Sequence, residues 1–274
     1  MSDYTFTELG KETRYSDSYD ANLLCPIPRV KARQSAHAPE SLPFVGVDVW
    51  TAYELSWLNL DGLPQIAIVE FIVPCDSDSI VESKSFKLYL NSFIQTKFSS
   101  MEEVESHLVK DLSAATGAIV EVTLYGLGEY QGIQPISEPQ GICIDRQPVV
   151  IDSYTPDASL LTAEANGSVN ETLYSHLLKT NCPVTDQPDW ASIYIFYQGK
   201  KIDQAGLLKY IVSYRQHQDF HEQCVEQIFL DIMSACSPTQ LSVYARYMRR
   251  GGLDINPYRS THSIRPPLFR QVRQ

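Results

Sequence analysis

One cysteine and one aspartate, seven residues apart, have the types and the spacing of a nucleophile and its proton donor. Cys182 and Asp189 lie in the stretch NCPVTDQPDW, residues 181–190. A thiolate attacks an electrophilic carbon, and a nearby carboxylic acid protonates the charge that the attack creates. The same pair also fits a small apolar position followed by a turn carboxylate. Their spacing alone leaves both interpretations open.

A second polar stretch, DFHEQC, places His221 and Glu222 in the first turn of a predicted amphipathic helix. A carboxylate there is stabilised by the helix dipole, and Asp219 is the predicted cap. The alternative is that Glu222 accepts two hydrogen bonds from a guanine-like edge, where a ring N–H and an exocyclic amine lie side by side. A buried carboxylate left unpaired by the wrong ligand is costly, so such a group would also provide selectivity.

A third stretch, ESKSFKLY at residues 82–89, contains a carboxylate, hydroxyls and two lysines. It fits the solvated start of a helix whose lysines point outward. It also fits a site in which Lys84 and Lys87, together with backbone N–H groups at the helix start, hold a phosphate-bearing ligand.

A glycine-rich stretch, GLGEYQG at residues 126–132, follows a predicted strand. Its glycines fall as GxGxxxG, and the next residues, IQPISEP, cannot open a helix. A dinucleotide site of the Rossmann type needs a helix start at that point, so we do not expect one here.

Composition limits the class of protein. The 274 residues suffice for one large domain or two ordinary ones, and 43% hydrophobic with 20% charged residues is typical of globular chains. The formal charge of −11 argues against broad binding to nucleic acid or membranes. No apolar run reaches the roughly 18 residues of a membrane span, and the start lacks a secretory pattern. The six scattered cysteines include no CxxC, so we expect reduced thiols in a cytoplasmic protein.

The elements that must position these residues alternate between strand and helix patterns. Strands are predicted at 47–59, 65–74, 118–127, 190–199 and 240–252, and helices at 100–117, 205–217 and 219–235. The first two strands flank LDGLP, whose Asp-Gly pair predicts a hairpin. In the last helix the apolar spacing is carried by Val225, Ile228, Phe229 and Ile232.

Two pairs of segments match at an offset near 120 residues. They are FKLYLNSF (86–93) over LLKYIVSY (207–214), and MEEVESHLVKDL (101–112) over HEQCVEQIFLDI (221–232). The first match aligns Tyr89 with Tyr210. The second aligns Asp111 with Asp231. Agreement in order and offset indicates a duplicated α+β module.

We therefore predict four segments. They are an N-terminal arm at 1–44, with LLCPIPR extended; a first module at 45–135; a Pro-rich linker and connecting segment at 136–180; and a second module at 181–274.

Four stretches taken together resemble a known family. In order, ESKSFKLY, CPVTDQPDW, DFHE and RRGGLDINPYRS are similar to the NADPH-dependent 7-cyano-7-deazaguanine reductase (QueF) family, in its longer two-module form. The resemblance runs from LGKETRY and LLCPIPR to the C-terminal strand. Each motif alone is weak, and their common order makes them specific. No chemically needed position departs from the pattern.

The resemblance implies a tunnelling fold, an α+β architecture in which antiparallel sheets with helices on one face associate into a barrel. Two modules would form an internal pseudo-dimer, and two chains would pair as a homodimer. The implied reaction converts the nitrile of 7-cyano-7-deazaguanine to 7-aminomethyl-7-deazaguanine with two NADPH, on the route to queuosine in transfer RNA. Since the substrate is a free base, no direct binding of nucleic acid is expected.

The resemblance also assigns roles to residues. Cys182 would form a thioimide with the nitrile carbon, and Asp189 would protonate the nitrogen. The predicted substrate-binding residues are Val81, Glu82, Ser83, Phe220, His221 and Glu222. The predicted NADPH-binding residues are Ser83, Lys84, Arg250 and Gly251. An arginine suits the 2′-phosphate of the cofactor.

Two other functions stay open at this point. A cysteine hydrolase of the nitrilase or amidase kind would also form a thioimide, but it would release a carboxylate and has no use for ESK or RRGG. A cyclohydrolase-like or purine- or pterin-binding protein of the same fold would need clustered ligands if it depended on zinc. The histidines offer no clear ligand pair with Cys182, so we predict no metal site.

Overall fold

The computed structural model describes residues 15–138 and 140–274. Residues 1–14, which include most of LGKETRY and the start of the predicted arm, lie outside the described residues. The strands are β1 (Pro26–Pro28), β2 (Val45–Leu58), β3 (Pro64–Pro74), β4 (Ser79–Val81), β5 (Glu121–Tyr125), β6 (Ile142–Cys143), β7 (Val169–Asn181), β8 (Pro188–Gly199), β9 (Gln240–Tyr247) and β10 (Leu253–Ser260). The α-helices are α1 (Arg29–Ser35), α2 (Ser83–Asn91), α3 (Met101–Thr116), α4 (Leu127–Ile133), α5 (Gln204–Ser213) and α6 (His221–Cys236).

The chain divides into two compact units. The first contains the described residues up to Ala32, Val47–Pro135 and Arg249–Ile255. The second contains Arg33–Gly46, the described residues of Ile136–Met248, and Asn256–Gln274. Each unit combines helices with mainly antiparallel strands, so the predicted α+β class is confirmed. Each helix of the described residues is too short or too polar to cross a bilayer.

The core of the first unit lies between its strands and two helices. β2 pairs antiparallel with β3, which confirms the hairpin predicted from LDGLP, and β3 pairs with β5. Because side chains alternate along a strand, every second residue of β3 faces the core. The buried set includes Ala67, Val69, Phe71 and Val73 from β3, Phe86 and Tyr89 from α2, and Val104, Leu108 and Leu112 from α3.

Helix α3 begins and ends where its sequence predicts. The Ser100 side chain accepts a hydrogen bond from Glu103 N at 3.3 Å and caps the N-terminus. Gly117 adopts φ +73° and ends the helix in the left-handed region.

The second unit repeats this arrangement. β7 pairs antiparallel with β8, and β8 with β9. The four apolar residues predicted to form one face of α6, namely Val225, Ile228, Phe229 and Ile232, are all fully buried. That prediction is confirmed, because a spacing of three and four residues places them on one side of the helix.

The aligned positions of the repeat carry the same hydrogen bond. Tyr89 Oη donates to Asp111 Oδ2 at 2.7 Å. Tyr210 Oη donates to Asp231 Oδ2 at 2.5 Å. In each unit this bond ties the helix after the hairpin to the next helix, so the match at an offset near 120 reflects a common structure.

Both long hairpins contain a β-bulge. The register shifts between Ala52 and Leu55 in β2, and between Ser175 and Leu178 in β7. Ala52 and Leu55 are both buried although they are three residues apart, because the bulge inserts one residue and reverses the alternation. Ser175 and Leu178 are buried in the same way.

Several elements differ from the sequence predictions. The strand predicted at 240–252 ends at Tyr247 as β9, because Gly251 and Gly252 form a turn that leads into β10. β7 occupies part of the segment assigned to the linker and connecting segment, because its largely polar sequence, VNETLYSHLLKTN, offers little apolar alternation. α1 follows the extended β1 within the predicted arm. α4 lies in the glycine stretch, where Glu129 Oε2 accepts a hydrogen bond from Gly126 N at 3.0 Å. The helix therefore starts before IQPISEP rather than within it.

Candidate active site

Cys182 lies in the turn that joins β7 to β8. Its N–H donates to Gln187 O at 2.9 Å, and its carbonyl accepts from Asp186 N at 3.1 Å. Asp186 adopts φ +58°, which aspartate tolerates better than most residues, and accepts a hydrogen bond from Gln218 Nε2 at 2.9 Å. The turn is thus fixed by three hydrogen bonds, and it holds Cys182 with only 8% of its surface exposed.

Asp189 is the second residue of β8, at the end of the hairpin that carries Cys182. It pairs in register with Thr180 of β7 and is 4% exposed. Its Oδ1 lies 3.2 Å from His221 Nε2. The strand register therefore brings a buried carboxyl group into contact with an imidazole that lies far along the chain.

His221 is the first residue of α6, and its ring lies on the ring of Tyr247. The two rings are parallel within 3°, with centroids 3.6 Å apart. Tyr247 is the last residue of β9, so a strand end supports the ring that contacts Asp189. Tyr247 is not among the predicted site residues, because nothing in YARY separates this tyrosine from an ordinary core residue of a strand.

The start of α6 corrects one prediction. Asp219 is not the helix cap: the capping position is Phe220, whose hydrocarbon side chain cannot accept a hydrogen bond. Asp219 Oδ1 instead accepts from Phe220 N at 2.9 Å. The first turn nevertheless contains an acid, Glu222, with only 2% of its surface exposed.

Three carboxyl groups converge on the interior of the second unit beside Cys224. The Cys224 thiol is fully buried, and burial raises its pKa well above the ordinary value, helped by the nearby charges of Asp219, Asp189 and Glu222. Burial, with Cys224, Asp189 and Glu222, likewise raises the pKa of Tyr247. Cys224 is consequently an enclosed thiol that burial keeps neutral, whereas 8% of the surface of Cys182 is exposed.

In the first unit, Glu82 caps α2 from a fully buried position. Its carboxylate accepts from Lys84 N at 2.6 Å and from Ser85 N at 2.8 Å. Burial raises its pKa above the ordinary value, although these N–H groups act in the opposite direction. The solvated helix start considered for ESKSFKLY is therefore wrong for Glu82. Val81, at the end of β4, is also buried, and the Ser83 hydroxyl lies 3.5 Å from Glu82 Oε1.

Arg250 and Gly251 begin a tight turn after β9. Arg250 N donates to Leu253 O at 2.9 Å, and Leu253 N donates to Arg250 O at 3.3 Å. Gly251 and Gly252 adopt φ values of +58° and +72°, the left-handed geometry of a two-residue hairpin turn. A Cβ on Gly251 would lie 3.2 Å from Lys87 Cδ, so the lysine side chain packs on the bare backbone of the turn.

The first unit gathers positive charge around these two motifs. The cations are Lys84 and Lys87 of α2, and Arg249 and Arg250 of the turn. The Arg249 guanidinium lies 4.7 Å from the Tyr53 ring centroid. Basic groups, a helix start and a glycine turn that admits close approach suit a phosphate-bearing dinucleotide, so these residues fit NADPH.

Family models match both halves of the chain. Residues 15–124 match the family model for the N-terminal part of the nitrile reductase 7-cyano-7-deazaguanine reductase, and residues 188–266 match the model for QueF-like proteins. The chain belongs to the 7-cyano-7-deazaguanine reductase (QueF) family. The resemblance drawn from the four motifs is therefore confirmed.

Curated relatives match almost the full chain. The NADPH-dependent 7-cyano-7-deazaguanine reductase of Paraburkholderia phytofirmans is 56% identical over 268 residues, 97% of both chains. The proteins of the same name from Paraburkholderia xenovorans and Cupriavidus metallidurans are 54% and 56% identical, also over 97% of both chains. The names of these relatives specify NADPH, as the resemblance implied. A crystal structure of the archaeosine synthase QueF-Like in the apo form matches 37% of this chain and 100% of its own at 16% identity and a TM-score of 0.31, too slight a likeness to add to these matches.

Proposed function

We propose that this protein reduces the nitrile of 7-cyano-7-deazaguanine to the primary amine with two NADPH, through a covalent thioimide on Cys182. The observation that carries the proposal is the hairpin end of the second unit. A nearly buried thiol lies in the turn there, and the adjoining strand carries Asp189 in contact with His221. Family membership supplies the substrate class.

Cys182 is the nucleophile in this scheme. As the thiolate, its sulfur adds to the nitrile carbon, one π bond of the C≡N group breaks, and the electron pair moves to nitrogen. A fixed turn holds the thiol at one position, which lowers the entropic cost of reaching the attack geometry. Cys224 cannot take this role, because its thiol is enclosed and held neutral.

Asp189 and His221 manage the proton. The nitrogen gains negative charge as the sulfur attacks, and a carboxylic acid at Asp189 donates a proton to it. The burial of Asp189 keeps bulk water away from this proton transfer. His221, 3.2 Å away, then returns a proton to the carboxylate, and the Tyr247 ring keeps the imidazole in one plane.

Recognition of the deazaguanine rests on Glu222 and Phe220. The Glu222 carboxylate accepts from the ring N–H and exocyclic amine of the base, and Phe220 covers the ring. Burial of Glu222 strengthens these hydrogen bonds and penalises ligands that lack the donors. Substrate contacts from Val81, Glu82 and Ser83 are a further part of the proposal, supported by the buried acid that Glu82 provides.

NADPH supplies one hydride in each of the two reductions when it is bound. Ser83, Lys84, Arg250 and Gly251 would hold it, and the packing of Lys87 on Gly251 adds that lysine to the set. Lysine and arginine neutralise the phosphates, and the absence of a side chain at Gly251 lets the backbone approach them.

The decisive experiment incubates the protein with the cyano compound in the absence of NADPH. Intact mass should rise by the full mass of the substrate, because addition to the nitrile releases nothing, and peptide mapping should place the adduct on Cys182. Cys182→Ala should show no adduct, whereas Cys143→Ser, a change at an exposed thiol, should be modified like the wild type. Release of a carboxylic acid without NADPH would instead identify a cysteine hydrolase.

A further inference from the structure

Three side chains with the chemistry of metal ligands meet in the second unit, apart from the turn that carries Cys182. Cys143 ends β6, Asp145 follows it, and His176 belongs to β7. One ligand atom from each lies within 4.8 Å of the other two. We propose that these three residues bind a divalent transition-metal ion of the zinc class, a role separate from nitrile reduction.

The backbone of β7 directs His176 toward this cluster. The residue lies within the bulge between Ser175 and Leu178, and a bulge changes the direction of the side chain that it carries. His176 Nδ1 lies 2.7 Å from Ser192 Oγ. When Nδ1 donates to that hydroxyl, Nε2 keeps its lone pair for a metal, and a ring held by its second nitrogen is the usual state of a ligating histidine.

Asp145 is held in place by the same bulge. Its Oδ1 accepts from Ser175 Oγ at 2.6 Å, and its Oδ2 accepts from His176 N at 3.1 Å. An ionised carboxylate has about four lone-pair directions, so these two bonds leave capacity for a cation. Hydrogen-bonded carboxylates of fixed orientation are typical of metal sites.

The ligand types select the class of ion. Thiolate and imidazole favour zinc and its neighbours, whereas Mg²⁺ and Ca²⁺ prefer sites made of oxygen. Cys143 is exposed, so an ion can reach its sulfur from solvent. Glu138 Oε2 lies 3.8 Å from His176 Nε2 and is in reach of a fourth coordination position, which water would otherwise fill.

Such an ion would add a cross-link between two segments that are already in contact. Ile142 and Cys143 of β6 pair with β7, and the next residue, Ile144, donates its N–H to Tyr174 O at 2.9 Å. A ligand from each strand would close the long connection between them, and an ion that binds only the folded chain adds to its stability.

Cobalt provides the direct test. After treatment of the full-length protein with a chelator, Co²⁺ should bind with a thiolate-to-cobalt charge-transfer band in the near ultraviolet. Cys182→Ala should keep that band and Cys143→Ser should lose it. The opposite pattern, or a wild-type band in Cys143→Ser, would overturn the site.

Affinity for Zn²⁺ gives an independent measurement. Cys143→Ser, His176→Asn and Asp145→Asn should each weaken binding by at least about tenfold. Cys236→Ser makes the same chemical change in the same unit outside the cluster, and it should bind Zn²⁺ as the wild type does. Equal affinity in all variants, with reductase activity showing that each is folded, would exclude the proposed ligands. Zn²⁺ should also raise the Tm of the wild type more than that of Cys143→Ser.

Discussion

The two units have the same hairpin end, and only the second carries a thiol there. In the first unit β2 ends at Leu58, whose N–H donates to Thr96 O at 3.0 Å. In the second unit β7 ends at Asn181, whose N–H donates to His217 O at 2.8 Å. Each hairpin is therefore anchored on the segment that precedes the long helix of its unit. The hairpin and its anchor therefore form with or without catalytic side chains at this end.

The two units differ at the residue that follows this strand end. In the first unit that residue is Asn59, whose Oδ1 accepts a hydrogen bond from Leu63 N at 2.8 Å across the turn. In the second it is Cys182, in a longer turn. Both turns have backbone hydrogen bonds at this residue: Asn59 N donates to Leu63 O at 3.0 Å, and Cys182 N donates to Gln187 O at 2.9 Å. The first turn adds a side-chain hydrogen bond from Asn59, whereas the Cys182 side chain has no such part in closing its turn, which leaves its sulfur for chemistry.

The long helices α3 and α6 also differ from each other at their N-termini. α3 has the Ser100 cap, and its first-turn acid Glu102 is at the surface, where the Ser100 hydroxyl lowers its pKa. α6 starts after Phe220 and buries Glu222. A side-chain cap is worth about 0.5–2 kcal/mol, so the second unit gives up local stability at the point where the substrate is expected.

The largest loss of activity should come from a substitution in the turn between β7 and β8. Cys182→Ala should lower kcat by at least about 10³-fold, because without the sulfur no covalent intermediate forms. Asn59→Ala, at the equivalent position of the first unit, should keep wild-type kcat and lower only the Tm. NADPH oxidation in the presence of the nitrile measures both. Normal turnover by Cys182→Ala would show that the hairpin comparison does not identify the nucleophile.

A smaller effect, on KM, is expected from substitutions of the acids in the first turns of α6 and α3. Glu222→Gln should raise the KM for the deazaguanine by about 10- to 100-fold, because one acceptor of a charge-assisted pair becomes a donor. Glu102→Gln changes the aligned, exposed acid and should leave KM unchanged. Steady-state kinetics at saturating NADPH separate the two. An equal KM in both variants would remove Glu222 from the substrate site.

Much of the scaffold was predictable because local rules determine it. The Asp-Gly pair predicts the first hairpin, and the spacing around Val225 and Phe229 predicts α6. β7 was not predicted, because its sequence is rich in polar residues, among them Asn170, Glu171 and Lys179, and offers little apolar alternation. The types of the site residues were readable from motifs. Their contacts were not, because they depend on the register of β8 and on the end of β9, which no local pattern encodes.

The contact between His221 and Tyr247 is one that no local pattern encodes, and we expect its loss to lower kcat. Tyr247→Leu should lower kcat by about tenfold, because the imidazole loses the surface that keeps it in plane beside Asp189. Tyr247→Phe keeps the ring and should stay within about twofold of the wild type. The KM for NADPH should be unchanged in both, which distinguishes a positioning role from a general loss of structure. Equal activity of the two variants would mean that the stack does not position His221.

The smallest expected effect is a difference in how stability depends on pH between the buried cap of α2 and the exposed cap of α5. Asp203 caps α5 as Glu82 caps α2, accepting from Gly206 N at 2.8 Å, but it is exposed to solvent. Glu82 has a raised pKa in the folded chain, so above its ordinary value of 4.5 the folded state binds more protons than the unfolded state. The contribution of this group is therefore fully present below pH 4.5 and is lost as pH rises through the folded pKa.

Glu82→Gln removes the titrating group, so its Tm should fall less than that of the wild type between pH 5 and pH 8. The difference should correspond to about 1.4 kcal/mol for each unit by which burial raises the pKa. Loss of a cap lowers stability by an amount that does not depend on pH, and Asp203→Asn measures that part at a solvent-exposed site. Glu82→Gln and the wild type could instead lose stability in parallel across this range. That result would mean that Glu82 has the same pKa in the folded and unfolded chains, so that the buried cap would not differ from the exposed one in its titration.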